Sequence, residues 1–408
     1  MRALSFALAA RSLLHAVPQA SAWGAAGHEI VATIAQIHLH PSVLPTLCSI
    51  LQLNSVSDSI DSDSSDNIHV DSTTAPRCSL ATIATWADRI RYLPQFRWTA
   101  PLHYIGAKDD YPSATCAFPG SKGWEKEAIN VLRGIRNTTG LLGEWVEMRG
   151  LHGAAVSDDE NDRAREALKF LIHFLGDMHM PLHLTGRDRG GNGDKVSFDG
   201  RVTNLHSLWD SLLIAQRLRT LPSNYTRPLP LPDIERHLRG TIYDPYIRRL
   251  VWEGLLGRWE DEIEDWVGCS STVESLGSVQ NQWMGISLST GMRFRDGGLG
   301  TDDDVLCPYE WALPIHALNC EIVWPKQLDE PPYGSHSRLA SHVSASNLNS
   351  NGRPRNSYLE LDTPEYAGRI KDEWIIERLL TQGGIRLAAI LNTIFLEDGE
   401  EAEVVRLG

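Results

Sequence analysis

The sequence predicts a mostly α-helical protein with a single domain over residues 23–396. Five long stretches carry apolar residues at the three- and four-residue spacing of a helix. Strands with alternating polarity are scarce, and the best candidate is a short hairpin from Lys195 to Val202. No internal repeat divides the chain. The five helical stretches are 27–40, 163–180, 203–219, 244–267 and 364–396.

Two segments are predicted to be insertions in this domain. Residues 54–79 are rich in Ser and Asp, and residues 325–357 are rich in Pro, Ser, Asn and Gly. Both contain too few apolar side chains to be buried, so we expect long loops or disorder there. After the second insertion, Thr363 is expected to cap the final helix, with Pro364 at its first position. Residues 397–408 would form a short tail.

The first 22 residues have the features of a secretory signal peptide. Arg2 gives a positive start, an apolar run covers residues 4–10, and Ala20-Ser21-Ala22 supplies small residues for cleavage. Arg11 and His15 interrupt the apolar region, so this signal is imperfect. No later stretch approaches the roughly 20 apolar residues of a membrane span. We therefore expect a secreted protein whose mature chain starts at Trp23.

Composition also bears on compartment and function. The 408-residue chain has a formal net charge of -14, which argues against the basic surface of a general DNA-binding protein. Six cysteines, none in a CxxC pair, favour disulfides over a thiolate zinc site and allow fifteen connectivities. Asn137 and Asn224 begin Asn-x-Thr triplets, so both are expected to be glycosylated if the protein is secreted.

The segment FLIHFLGDMHMPLH, residues 170–183, places polar residues inside an apolar helix. His173 and Asp177 are four residues apart and therefore share one helix face. An ionised Asp in such a place is costly unless it is paired or bound to a metal. Pro181 ends the helix, and His183 follows immediately.

A second segment, NLHSLWDSLL, repeats this arrangement with His206 and Asp210. Either pair alone fits a hydrogen bond in the core equally well. Two such pairs in one chain favour metal, and imidazole with carboxylate suits zinc. ATWADRIR and APLHYIG add Asp88, Arg91 and His103. A single buried His is more often structural than a metal ligand. Considered alone, Arg91 would be interpreted as an exposed arginine on a helix.

These motifs, together with WGAAGHEI at residues 23–30 and a GGN triplet, occur in the order and spacing of one family. The chain resembles the zinc-dependent single-strand nucleases of fungi and plants, the nuclease S1/P1 type. The resemblance runs from Trp23 to about residue 216, and returns at residues 311–324 and in the last helix. It implies the mostly helical fold shared with zinc-dependent phospholipase C, and three Zn²⁺ ions in a cleft.

The resemblance also implies a set of ligands for each ion. Asp177 would bridge two ions, and removal of the signal peptide would free the Trp23 amine to bind one of them. The first set is Asp88, His103, His173 and Asp177, the second is His183, His206 and Asp210, and the third is Asp177, His28 and the amine and carbonyl oxygen of Trp23.

The implied activity is hydrolysis of single-stranded DNA and RNA to 5′-phosphate products, with cleavage of 3′-nucleotides as well. Asp177 and Arg91 would be catalytic, Arg91 by stabilising charge on the phosphoryl oxygens. Tyr104 would stack on a base. Gly106 and Arg189 depart from the family pattern, which leaves the base preference open. We expect a monomer with no membrane association.

For the cysteines, the resemblance implies a Cys116–Cys320 disulfide. Elimination and locality then leave Cys48 with Cys78 and Cys269 with Cys307.

Two other functions compete with the nuclease hypothesis. A zinc-dependent phospholipase C of the same fold tends to have Glu as its last carboxylate ligand, and a longer gap between the Trp and the first His. Asp210 and the short spacing from Trp23 to His28 favour the nuclease. A catalytically silent zinc-binding protein is the other alternative, although all nine ligand positions and Arg91 are present.

Overall fold

The computed structural model describes residues 23–53, 78–152, 156–269, 302–303, 305–331, 333 and 358–396. These residues are mostly helical, as predicted. The α-helices are α1 (Ala25–Ile37), α2 (Val43–Leu51), α3 (Trp86–Ile90), α4 (Val131–His152), α5 (Asp158–Met178), α6 (Asp188–Gly191), α7 (Leu205–Ser207), α8 (Leu213–Arg219), α9 (Pro232–Glu235), α10 (Asp244–Arg249), α11 (Ile263–Val267), α12 (Pro308–Leu318), α13 (Arg369–Asp372) and α14 (Ile375–Phe395). Short 3-10 helices are Leu80–Thr82, Pro94–His103, Pro181–Leu184, Ser223–Thr226, Glu260–Glu262 and Lys326–Asp329, and π-helical segments are Leu208–Leu212, Leu250–Arg258, Asn319–Val323 and Pro364–Gly368.

The predicted hairpin is present. Strands β1 (Lys195–Phe198) and β2 (Arg201–Asn204) pair antiparallel, with Lys195 opposite Asn204. Asp199 and Gly200 form the turn with φ of 51° and 68°, the left-handed conformation that a two-residue hairpin turn requires. Ser197 also exchanges backbone hydrogen bonds with Leu359 and Leu361. The hairpin is thereby tied to the segment that leads into the last helices.

Helix α5 lies at the centre of the fold. Ser157 and Glu160 form a capping box at its start, so the helix begins at a fixed residue. Its first turns are polar and largely exposed, whereas every residue from Phe170 to Met178 is buried. Helices α1, α2, α3, α4 and α14 pack against it. The second half of α5 therefore carries His173 and Asp177 through the hydrophobic core.

Two of the predicted helices are interrupted by tryptophans. The stretch 244–267 breaks at Trp259, and the stretch 364–396 breaks at Trp374, whose φ is 57°. The two indoles meet edge to face with centroids 5.8 Å apart. Burial of both rings in one cluster stabilises the fold more than an uninterrupted helix would. Thr363 caps the segment at 364 through the Tyr366 amide, as predicted.

Disulfides join Cys48 to Cys78, Cys116 to Cys320 and Cys269 to Cys307. The predicted signal peptide, the tail and most of the two predicted insertions lie outside the described residues. The start of the second insertion is folded, because Leu328 is buried and Asp329 pairs with Arg187. In the ranges given above, no helix is long and apolar enough to cross a membrane.

Candidate metal centre

One group of buried polar side chains joins three separate elements. Asp88 comes from α3, His103 ends the 3-10 helix Pro94–His103, and His173 and Asp177 lie on α5. His103 Nδ1 is 2.9 Å from Asp177 Oδ2 and 3.1 Å from His173 Nε2. Asp88 Oδ1 is 3.6 Å from His173 Nε2 and 3.8 Å from His103 Nδ1. We call these four side chains the first cluster.

The spacing of these four atoms can be compared with zinc coordination. Ligands about 2.0–2.1 Å from a tetrahedral zinc ion lie about 3.3 Å from one another. The five separations that involve a histidine of the first cluster range from 2.9 to 3.8 Å, including 3.4 Å between His173 Nε2 and Asp177 Oδ2. The donor set is two imidazole nitrogens and two carboxylate oxygens. Both chemistry and spacing therefore fit a zinc ion.

The second cluster consists of His183, His206 and Asp210. His183 follows α5 directly, and the other two lie on the continuous helical stretch that starts at α7. His206 Nε2 is 3.2 Å from Asp210 Oδ2, and ligand atoms of all three residues lie within 4.8 Å of one another. Asp210 sits in the π-helical segment Leu208–Leu212, a distortion common at functional sites.

Backbone carbonyls fix the orientation of three of the histidines. Nδ1 of His173 donates to Ala84 O at 2.7 Å, and Nδ1 of His206 donates to Gly190 O at 2.6 Å. Nδ1 of His183 donates to the carbonyl of His103, also at 2.6 Å. Because a carbonyl can only accept, each neutral ring keeps its lone pair on Nε2. Such partners are what orient a metal-binding imidazole.

His28 reaches the same region from α1. Its Nε2 is 3.5 Å from Asp177 Oδ1, and its ring stacks on His173 with centroids 3.8 Å apart. It also lies within 4.8 Å of donor atoms of both Asp88 and His173. The structure thus places His28 against three residues of the first cluster, Asp88, His173 and Asp177.

Trp23 is fully buried immediately before α1. The next residue, Gly24, donates its backbone N–H to the carbonyl of Asp210 at 2.9 Å. A Cβ on Gly27 would lie 2.7 Å from the Trp23 Cβ, so only glycine lets the chain turn back this closely. The start of the described chain is therefore held against a second-cluster residue.

Several buried atoms of these clusters have no hydrogen-bond partner among the described residues. No hydrogen bond of acceptable geometry reaches either oxygen of Asp177, either nitrogen of His28 or one oxygen of Asp210, although His103 Nδ1 and His28 Nε2 lie 2.9 and 3.5 Å from the Asp177 oxygens. Buried polar groups without partners are rare and costly. A bound cation would satisfy the carboxylate oxygens and the lone-pair nitrogen of His28, which is the second reason that these residues fit a metal.

The electrostatics support the same conclusion. Burial alone would raise the pKa of Asp177, but His173 and His103 outweigh it and hold that pKa well below its usual range. Burial, followed by the carboxylates of Asp88 and Asp177, raises the pKa of Asp210 well above its usual range. Three carboxyl groups thus share one buried region, and the Arg91 guanidinium lies beside one of them, Asp88.

The histidines divide into two groups. Burial, followed by a neighbouring histidine, lowers the pKa of His28 to about 4 and that of His206 to about 3. Burial likewise lowers the pKa of His103 and His183. These four rings are therefore neutral at pH 7 and able to bind metal. Burial would also lower the pKa of His173, but Asp177 and Asp88 outweigh it and raise that pKa to about 9.

The other candidate residues are at the edge of the clusters or on the surface. Arg91 Nη1 is 3.2 Å from Asp88 Oδ1. Tyr104, next to His103, is 39% exposed, and its hydroxyl accepts from Lys126 Nζ at 3.3 Å. Asn137 on α4 and Asn224 in a 3-10 turn are both exposed.

The two positions that depart from the family pattern differ in their surroundings. A Cβ on Gly106 would lie 2.6 Å from the backbone nitrogen of Gly186, so no side chain fits there without a shift of the backbone. Arg189 is exposed and has a φ of 60° in the left-handed turn of α6.

The sequence did not reveal the residues that support the clusters. Gly176 is needed because a Cβ there would lie 2.5 Å from His28 Nδ1. A lone glycine inside an apolar helix was the available signal. The carbonyls of Ala84 and Gly190 left no signal, since any residue has a carbonyl. His179 is buried, and its Nε2 accepts from Arg386 at 2.9 Å.

Buried imidazoles and carboxylates grouped at zinc-like distances within a helical scaffold define a candidate metalloprotein. The family model described as S1/P1 nuclease matches residues 23–275. The chain belongs to the S1/P1 nuclease family.

Individual relatives agree with this assignment. Endonuclease 2 of Arabidopsis thaliana is 29% identical over 259 residues, which are 63% of this chain and 72% of the relative. Nuclease S1 of Aspergillus oryzae is 32% identical over 189 residues, 46% of this chain and 53% of the relative. Nuclease P1 of Penicillium citrinum is 33% identical over 193 residues, 47% of this chain and 58% of the relative. The chain thus matches little more than half of each fungal nuclease.

Proposed function

We propose that this protein is a zinc-dependent endonuclease that hydrolyses single-stranded DNA and RNA to 5′-phosphate products and also cleaves 3′-nucleotides. One observation carries the proposal. Side chains from segments as distant as His28 and Asp210 meet in adjoining buried clusters whose donor atoms have the spacing of zinc ligands. Because the chain belongs to a nuclease family, we infer that the substrate at these clusters is a phosphodiester.

Three zinc ions are proposed. The first cluster would hold one ion, and the second cluster would hold another. The third would lie between Asp177, His28 and the backbone amine and carbonyl oxygen of Trp23, after removal of residues 1–22. When bound, these ions would polarise the phosphoryl oxygens and lower the pKa of a water molecule.

The protein's own residues would orient the substrate. Neither oxygen of Asp177 accepts a hydrogen bond of acceptable geometry, so both would be available as ligands and Asp177 would be shared by two ions. Arg91 is held by Asp88, and its side chain is 13% exposed, so it is partly accessible to a substrate. Tyr104 offers an exposed ring beside His103, on which an unpaired base can stack. A paired base has no free face, which accounts for the preference for single strands.

Further properties are proposed with the activity. Three disulfides fit secretion through an oxidising compartment. Asn137 and Asn224 are accessible for glycosylation in that compartment. We propose a secreted monomer with one domain over residues 23–396, in which the segments at 54–79 and 325–357 are insertions.

One experiment separates the candidate functions. Purified mature protein is assayed for cleavage of single-stranded DNA and RNA and of phosphatidylcholine, and zinc is measured by elemental analysis on the same sample. We expect about three ions per chain and cleavage of nucleic acid only. Phosphatidylcholine hydrolysis would identify a phospholipase C, and bound zinc with neither activity would identify a silent binding protein. One ion or none would contradict the cluster assignment.

A further inference from the structure

A cationic and aromatic surface lies on the segment that joins two first-cluster residues, Asp88 and His103. Tyr92 is 49% exposed, Leu93 is 44% exposed and Trp98 is 61% exposed. Arg97 is exposed between them. We call residues 92–98 the Tyr92–Trp98 surface. Trp98 is the most exposed aromatic side chain among the described residues.

The charge of this segment differs from that of the whole chain. Residues 89–108 contain four Arg or Lys side chains and no Asp or Glu, although the formal net charge of the protein is -14. The four cations are Arg89, Arg91, Arg97 and Lys108. The segment is bounded by Asp88, which pairs with Arg91, and by Asp109 after Lys108. The positive charge next to Trp98 is therefore that of Arg97, which would favour a polyanion there.

The surface is firmly attached to the scaffold. Phe96 packs edge to face on Trp86 with centroids 5.9 Å apart, and Trp86 packs in the same way on Phe170 of α5 at 5.1 Å. The Thr99 hydroxyl donates to the Phe96 carbonyl at 2.7 Å. Phe96 packs inward, whereas the side chains of Arg97 and Trp98 are exposed to solvent. The backbone that carries the exposed indole is thus held in place, so less backbone freedom is lost when a base stacks on the indole.

Position along the chain connects this surface to the clusters. Arg91 binds Asp88, and the Tyr92 hydroxyl accepts from Arg91 Nη2 at 3.0 Å. From Trp98, the 3-10 helix runs five residues to His103, about 10 Å at its usual rise. A strand with its scissile phosphate at the clusters needs only a few more nucleotides to reach the indole.

We propose that the Tyr92–Trp98 surface is an additional binding site for single-stranded nucleic acid, outside the site of cleavage, with Trp98 as a stacking platform and Arg97 as a phosphate contact. Alternating aromatic and cationic side chains are how proteins bind single strands without reading sequence. The inference rests on the proposed function for its relevance to catalysis. Binding itself can be tested without hydrolysis.

The main test compares long and short substrates for Trp98→Ala. KM for a long oligothymidine should rise about 5- to 150-fold, the effect of removing one stacking platform. KM and kcat for a thymidine dinucleotide should not change, because it cannot reach the indole from the clusters. Trp98→Phe should restore most of the affinity. Trp252→Ala is the matched control, since Trp252 is 45% exposed on a segment that supplies no candidate ligand.

Binding of a phosphorothioate oligothymidine by the zinc-loaded protein provides the independent measurement. Its Kd should show the same dependence on Trp98. Arg97→Gln should reduce the slope of log Kd against log salt by about 0.7, the value for one phosphate contact in a single strand.

The outcomes distinguish the two proposals. Unchanged KM and Kd for long strands in Trp98→Ala would overturn the binding site, as would equal losses on the dinucleotide. A wild-type protein that binds oligothymidine through Trp98 but cleaves nothing would retain the binding site and refute the nuclease proposal.

Discussion

Replacement of Gly176 by Ala tests whether His28 is held where the structure places it. Gly176 precedes Asp177 on α5, and the added Cβ would lie 2.5 Å from His28 Nδ1 and 2.9 Å from its Cε1. His28 is 1% exposed and stacks on His173, so its ring has little room to move away. An overpacked core of this kind typically loses about 1–3 kcal/mol.

A second substitution separates this loss from the effect of helix propensity. Alanine is preferred to glycine inside a helix by about 0.8–1 kcal/mol, and Gly176→Ala receives that gain as well. Gly140 lies on α4, and a Cβ there would meet nothing within 4 Å. Gly140→Ala should therefore show the propensity gain alone. The difference between the two variants should equal the overpacking cost, about 1–3 kcal/mol.

The measurement is urea unfolding of both variants at the same free zinc concentration, with zinc content by elemental analysis. We expect Gly176→Ala to lose about one ion, because the displaced His28 is a proposed ligand, and Gly140→Ala to keep the full number. Loss of an ion would widen the stability difference, since a bound metal stabilises the folded state. Equal stability and equal zinc content in the two variants would refute the placement of His28 against Gly176.

Four further predictions follow from the site and its surroundings. Asp177→Asn should reduce activity on single-stranded DNA more than Asp210→Asn, because Asp177 is proposed to serve two ions; equal residual rates in folded variants would contradict the bridge. Tyr104→Ala should lose about 1–3 kcal/mol of substrate binding by KM, whereas the Phe variant should be close to neutral. Burial, followed by the neighbouring Asp188 carboxylate, raises the pKa of Asp194 to about 7, so the protonated Asp194 carboxyl stabilises the fold below pH 4. As pH rises to 7 that contribution, up to about 4 kcal/mol, is lost, and urea unfolding of the Asn variant should lack this loss. An Ala added before Trp23 should remove about one zinc ion and most cleavage of single-stranded DNA, because an amide nitrogen has no lone pair for metal; unchanged zinc content would rule out the amine as a ligand.

The central helix could be predicted because its sequence shows both the part that is exposed and the part that is buried. A polar first half and an apolar second half fix where α5 enters the core, and His173 and Asp177 are conspicuous there. The hairpin could be predicted equally well, since a turn at Asp199-Gly200 separates two short segments in which polar and apolar residues alternate. In both places, local pattern and tertiary environment agree.

Other elements could not be predicted because tertiary packing overrides local preference. Helix α4 contains Gly134, Gly140, Gly143 and Gly150, all poor helix formers, yet it packs along α5. Helix α12 contains Pro314 in its interior. Helix α4 is stabilised by contacts with α5, the next helix, and α12 by contacts with the 3-10 helix Pro181–Leu184. A single sequence does not show these tertiary contacts.

The relative position of the two clusters is set by the main chain. His103 contributes Nδ1 to the first cluster, while its carbonyl accepts from Nδ1 of His183 in the second at 2.6 Å. Two residues on, the N–H of Ile105 donates to the carbonyl of His183 at 2.8 Å. These two backbone contacts connect the chain at residues 103–105 to the turn after α5. The identity of each proposed ligand is therefore visible in the sequence, whereas the distance between clusters depends on carbonyl and amide groups that every residue has.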